Sequence, residues 1–153
     1  CDCIGSCATG DDATDSAKDG ARALATALQT MTHLQILNLA WNSLGAAGSQ
    51  ALAPVLSKMT RMTKLILVKN NIGTEGARAL ASALAMMAKL KVLNIGCNNI
   101  GKEGARALVP ALLTMTHLKE VHYYGNHDRY EGENPLSPVK EAVERRGGSY
   151  WDC

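Results

Sequence analysis

The densest collection of side chains able to move protons or bind ions is the run His122, Tyr123, Tyr124, His127, Asp128, Arg129 and Tyr130. Imidazole and carboxylate in such proximity suit acid–base exchange near neutral pH, or metal ligation. Extended chain turns successive side chains to opposite faces, so His122 and Tyr124 share one side while Tyr123 takes the other. His127 to Tyr130 fall beyond that segment. The run contains neither an activated nucleophile nor a complementary pair of carboxylates, so it reads as a polar exit from a structural element and no catalytic residue is assigned.

Cysteine is the second reactive set, with five in the chain. Cys1, Cys3 and Cys7 form a Cys-x-Cys-x3-Cys run that could ligate zinc, form a disulfide or remain as thiols. No fourth Cys or His stands near it, His33 being the closest, so no metal and no cofactor is expected. Cys153 belongs to the far end of the chain. The odd count and the absence of any Asn-x-Ser/Thr sequence point to a cytoplasmic protein, with a secreted or cell-surface ectodomain as the alternative.

Sixteen Lys and Arg against fourteen Asp and Glu leave a net charge of +2. That balance gives no reason to expect nucleic acid as a partner. No apolar run approaches the length that spans a bilayer, so membrane insertion is not expected. No Gly-x-x-x-x-Gly-Lys-Ser/Thr run is present to cradle a nucleotide. At 153 residues and 46% hydrophobic content, without a single Phe, the chain suits one domain whose core is built in thin layers of Leu, Ala, Met, Ile and Val.

What positions these side chains is a repeat. Asn42, Asn70, Asn98 and Asn126 recur every 28 residues, and the segments around them align without a gap. The first reads Leu34-Gln35-Ile36-Leu37-Asn38-Leu39-Ala40-Trp41-Asn42-Ser43-Leu44-Gly45, and the third Leu90-Lys91-Val92-Leu93-Asn94-Ile95-Gly96-Cys97-Asn98-Asn99-Ile100-Gly101. A fourth begins at Leu118 and loses its last apolar position at Asp128. This is the leucine-rich pattern L-x-x-L-x-L-x-x-N-x-L.

After each such segment the apolar period changes from two to that of a helix. In Gly76-Ala77-Arg78-Ala79-Leu80-Ala81-Ser82-Ala83-Leu84-Ala85-Met86-Met87 the residues Ala77, Leu80, Ala81, Leu84 and Met87 fall on one face. Thr74 is placed to cap this helix, and Pro54 and Pro110 should bend or restart the helices before and after it. Asp19/Arg22, Glu75/Arg78 and Glu103/Arg106 form i,i+3 pairs on the outer faces. The expected fold is α/β: a solenoid in the form of a short horseshoe, with a parallel concave sheet, convex helices and about four repeats of 28 residues.

The repeat length and the Asn-x-Ile-Gly-x-Glu-Gly-Ala-Arg-Ala-Leu run resemble the ribonuclease-inhibitor class of leucine-rich repeats. That class also occurs in the C-terminal sensing regions of NOD-like receptors and in the Ran GTPase-activating protein. The resemblance covers about residues 17–128 and implies a protein-binding module, with a regulator of a small GTPase or an assembly element of a large complex as alternatives. It also implies that Asn42, Asn70, Asn98 and Asn126 turn inward and satisfy backbone groups between neighbouring turns. These four are read as structural.

With the leucines directed to the core, the third, fifth and seventh positions of each segment face the concave side, and the eighth follows at the rim. Ile36, Asn38, Trp41, Lys64, Ile66, Val68, Lys69, Asn94, Glu120, His122 and Tyr124 thereby become candidate binding residues for a protein partner. They mix an apolar centre with a charged rim, and Trp41 is the candidate hot spot, or else leans on Lys69. Cys97 takes a rim position, where an exposed side chain could be a reactive thiol, but the one strong cation near it is Lys69 on the neighbouring repeat, so no reactivity is assigned and its redox state and pairing stay open.

The two ends depart from the pattern. Residues 1–16 read as a degenerate N-terminal cap, 17–132 as the solenoid, and 133–153 as a capping helix and tail. In that tail Leu136, Val139 and Val143 can close the core, Arg145-Arg146 belongs to a solvated helix face, and Tyr150 and Trp151 either fold back on the end of the stack or form an exposed hook that docks onto a further domain.

Overall fold

The computed structural model describes residues 11–126 and 134–152. Helix and strand alternate along them as α1 (Asp11–Leu28), β1 (Ile36–Asn38), α2 (Gly45–Leu56), β2 (Lys64–Ile66), α3 (Gly73–Ala85), β3 (Val92–Asn94), α4 (Gly101–Thr114), β4 (Glu120–His122), α5 (Ser137–Arg145) and β5 (Ser149–Trp151). The five strands form one parallel sheet in chain order. Ile36 pairs with Lys64, Lys64 with Val92, and Val92 with Glu120. The register therefore repeats the spacing of the asparagines.

Strands of three residues have little stability by themselves, so the stack depends on side chains shared between layers. Leu37, Leu65, Leu93 and Val121 form one buried column, and Leu39, Leu67, Ile95 and Tyr123 a second. Leu52, Leu80 and Leu108 meet them from the helices, as do Leu56, Leu84 and Leu112. Small residues let the helices approach. A Cβ at Gly76 would stand 3.0 Å from the Ser49 hydroxyl of α2, and one at Gly104 would stand 3.2 Å from the Cβ of Ala77 in α3.

Thr74 does not cap α3. The helix begins one residue earlier, where the Gly73 N–H donates to the Asn98 carbonyl of the next repeat at 2.9 Å. Gly45 and Gly101 donate in the same way to Asn70 and Asn126. The first donor of each of these three helices is thus satisfied by the neighbouring turn, and Thr74 Oγ1 is released to donate to the Ile100 carbonyl at 2.9 Å. Pro54 and Pro110 lie within single unbroken helices, so neither helix restarts.

The C-terminal end holds a strand that the repeat did not predict. Glu120 pairs with Ser149, Val121 with Tyr150 and His122 with Trp151, one residue out of phase with the other three pairings. Tyr150 packs half-buried on the core while Trp151 emerges on the sheet face. Val139, Val143 and Leu136 are buried beneath α5. Arg146 is not merely solvated, because its guanidinium donates to the carbonyls of Met115 at 2.8 Å and Leu113 at 3.3 Å, which end α4. α1 starts at Asp11 and so includes part of the segment read as a cap.

Candidate functional site: the concave face of the sheet

Each of β1 to β4 buries its central residue and turns the flanking two to the concave side, and β5 does the same with a half-buried centre. Ile36, Lys64, Val92, Glu120 and Ser149 make one row across the sheet, and Asn38, Ile66, Asn94, His122 and Trp151 the next. Beyond the strands, Ala40, Val68, Gly96 and Tyr124 continue as a third row. It is tied by Trp41 N–H to Val68 O at 3.0 Å, Lys69 N–H to Gly96 O at 3.1 Å, and Cys97 N–H to Tyr124 O at 2.6 Å. All eleven sequence-derived candidates lie in these rows or at their rim.

Trp41 and Lys69 occupy equivalent rim positions with left-handed backbone, φ 64° and 56°. The Lys69 ammonium sits 3.8 Å from the centroid of the Trp41 ring, a cation–π contact across two repeats. Trp41 nevertheless stays 70% exposed, and Ile36 beside it 60%. Asn38 and Asn94 accept hydrogen bonds from the N–H groups of Ala40 and Gly96 at 3.0 and 3.1 Å. Those bonds orient the two carboxamides.

The other half of the face is aromatic and acidic. His122 Nε2 lies 2.6 Å from Glu120 Oε1. The imidazole is parallel to the Trp151 indole, with 6.1 Å between centroids and 10° between planes, and meets the Tyr124 ring edge-on at 6.3 Å. Tyr124 lies against the backbone of Gly96, where a Cβ would come within 2.7 Å of the ring. A larger residue at that position would lift the ring from the sheet.

Beneath the surface, Asn70, Asn98 and Asn126 are fully buried. Asn70 Oδ1 accepts from the Asn42 N–H at 3.0 Å, Asn98 Oδ1 from Asn70 at 2.8 Å, and Asn126 Oδ1 from Asn98 at 2.8 Å. Each Nδ2 donates back to carbonyls of its own and the preceding turn, as Asn70 does to Leu67 and Leu39. Asn42 differs from the other three. It is exposed, and its Nδ2 donates within its own loop to Ala40 O at 3.0 Å.

Cys97 is disulfide-bonded, which decides against the reactive thiol and settles the redox state that its rim position left open. His127, Asp128, Arg129 and Tyr130 lie outside the described residues, as do Cys1, Cys3, Cys7 and Cys153. Among the described residues there is no group of three or more His, Cys, Asp or Glu placed to hold a metal ion. No helix among them is long and apolar enough to cross a membrane.

Residues 30–53, 58–81 and 87–109 match the family described as Leucine Rich repeat. This is a leucine-rich-repeat domain. Each matched segment takes in one strand, its asparagine turn and most of the helix that follows. The leucine-rich-repeat domain has no match among curated proteins.

Trp151 was missed as a member of the concave face. Its signal is the alternation Ser149-Tyr150-Trp151, exposed, half-buried and exposed, which copies Glu120-Val121-His122 once the one-residue shift is allowed. A search at a fixed period passes over it.

Proposed function

We propose that the leucine-rich-repeat domain is a non-catalytic protein-binding module that holds a macromolecular partner against its concave sheet. In the ribonuclease-inhibitor-like reading it serves as the sensing region of a larger receptor. One observation carries the proposal. Both tryptophans of the chain stand more than half exposed on this face or its rim, where folding by itself supplies no reason to leave them. Tryptophan is the residue type most enriched at binding hot spots. Ile36, Ile66 and Val68 provide apolar surface between the two, with Lys64, Lys69, Asn38, Asn94, Glu120, His122 and Tyr124 around it.

The Cys97 disulfide favours the secreted or cell-surface alternative over a cytoplasmic location, because such bonds persist in oxidising compartments. Affinity capture from the native source tests the main reading, with the intact domain beside a Trp41→Ala/Lys69→Ala/Tyr124→Ala variant of unchanged circular dichroism. A partner lost from the folded variant supports the concave face. A partner kept equally by both moves the interface to the helices or the ends.

A further inference from the structure

We propose that the C-terminal half of the concave face is a receptor for an arginine side chain of the partner protein. This rests on the protein-binding reading and names the chemistry of its contact. Tyr124, His122 and Trp151 make a continuous row of rings, with centroid separations of 6.3 and 6.1 Å. Trp151 is 53% exposed at the edge strand. The Glu120 carboxylate is fixed beside this row by its 2.6 Å contact with His122 and remains 44% exposed. Its register neighbour on the edge strand is Ser149, too small to cover it.

An exposed indole face next to an oriented carboxylate is complementary to a flat cation. Guanidinium suits the pair better than ammonium, since it stacks on aromatic rings and donates two parallel hydrogen bonds to one carboxylate. The domain itself displays the aromatic part of this contact at its other end, where Lys69 occupies the Trp41 ring at 3.8 Å. That ring is already served by a cation of its own chain. Among the described residues, the ring stacked against Trp151 is the imidazole of His122.

Charge complementarity extends the argument along the sheet. Lys64 shares the row of Glu120 two strands away, with Val92 between them, a separation of roughly 10 Å at the usual strand spacing. The fitting partner segment therefore presents an arginine over β4 and β5 and a carboxylate over β2, with apolar surface between.

The test uses the full chain and two capped tripeptides, acetyl-Gly-Arg-Gly-amide and its counterpart with neutral citrulline at the centre. In NMR spectra the two tryptophans supply two indole N–H signals, so Trp41 serves as an internal control. The arginine peptide is expected to shift the Trp151 indole and His122 ring signals saturably while citrulline at equal concentration does not. Glu120→Gln, close in shape to the parent, is expected to weaken binding about tenfold. Gly96→Ala, which displaces the Tyr124 ring, should weaken it about two- to fivefold.

Equal shifts with citrulline, or unchanged affinity in Glu120→Gln, would overturn the proposal. So would shifts confined to Trp41. If a captured partner depends on the concave face while the arginine peptide does not bind, the arginine site fails and the broader reading stands. If the arginine peptide binds as expected while the captured partner ignores the concave face, the face recognises guanidinium but the broader reading fails, and the partner's arginine as its occupant fails with it.

Discussion

At the scale of single residues, the concave face is defined by side chains that the fold does not require. Trp41 is the clearest case. It holds a left-handed backbone at φ 64° while mostly exposed, a conformation that costs a non-glycine residue about 1 kcal/mol or more. Its contact with Lys69 offsets roughly 0.5–1 kcal/mol of that at an exposed site. Trp41→Gly removes both terms, so its melting transition is expected within about 1 kcal/mol of the parent. Partner affinity should fall by more than about 1 kcal/mol if Trp41 is a hot spot. Equal affinity by titration calorimetry would remove Trp41 from the interface.

At the scale of elements, short strands are held by groups outside themselves. Asn70 satisfies the N–H groups of Asn42 and Leu44 and the carbonyls of Leu39 and Leu67. Asn70→Ala strands these groups in the interior and is expected to cost about 1–3 kcal/mol. Asn42→Ala, at the exposed end of the series, should cost less than about 1 kcal/mol. Denaturant melts compare the two, and equal losses would show that burial does not govern the ladder. The edge strand β5 depends on Gly148, where a Cβ would fall 2.1 Å from the Lys119 carbonyl oxygen. Gly148→Ala must push β5 away from β4, with an expected loss of about 1–3 kcal/mol and of the His122–Trp151 stacking. A parent-like melt and unshifted His122 ring signals would refute that account.

At the scale of the whole molecule, stability is distributed along the stack because each layer contacts only its neighbours. Leu67 and Ile95, each the residue just after an interior strand, lie fully buried and donate to Asn94 O at 2.7 Å and His122 O at 2.9 Å. Among the described residues, β1 is paired on one side alone, to β2. Hydrogen exchange is therefore expected to be slowest at Leu67 and Ile95 and fastest at Gln35 and Ile36. Uniform protection across the sheet would mean that the stack opens only as a single unit. The ion pairs Glu75–Arg78 and Glu103–Arg106, at 2.8 and 2.7 Å, stand exposed on the helices. Glu75→Gln should alter stability by no more than about 0.5 kcal/mol, read as a near-coincident melt.

The layered fold was legible in the chain because repeat architecture is local. The 28-residue recurrence of asparagine, the leucine alternation and the switch to helical period each lie within one repeat, and stacking copies leaves a single arrangement of strands and helices. The three rows of concave residues followed from the same alternation. Other features belong to contacts between distant segments, which local pattern does not encode. The β5 strand breaks the period by one residue, and Trp151 enters the face only because β4 offers a free edge. Tyr124 lies flat only because Gly96, from the preceding repeat, has no side chain. Thr74 abandoned its expected cap because the neighbouring asparagine turn already accepts the first helical N–H. Periodic burial could be read from one repeat at a time, whereas the aromatic and acidic cluster around His122 depends on which side chains two or three repeats bring within a few ångströms of each other.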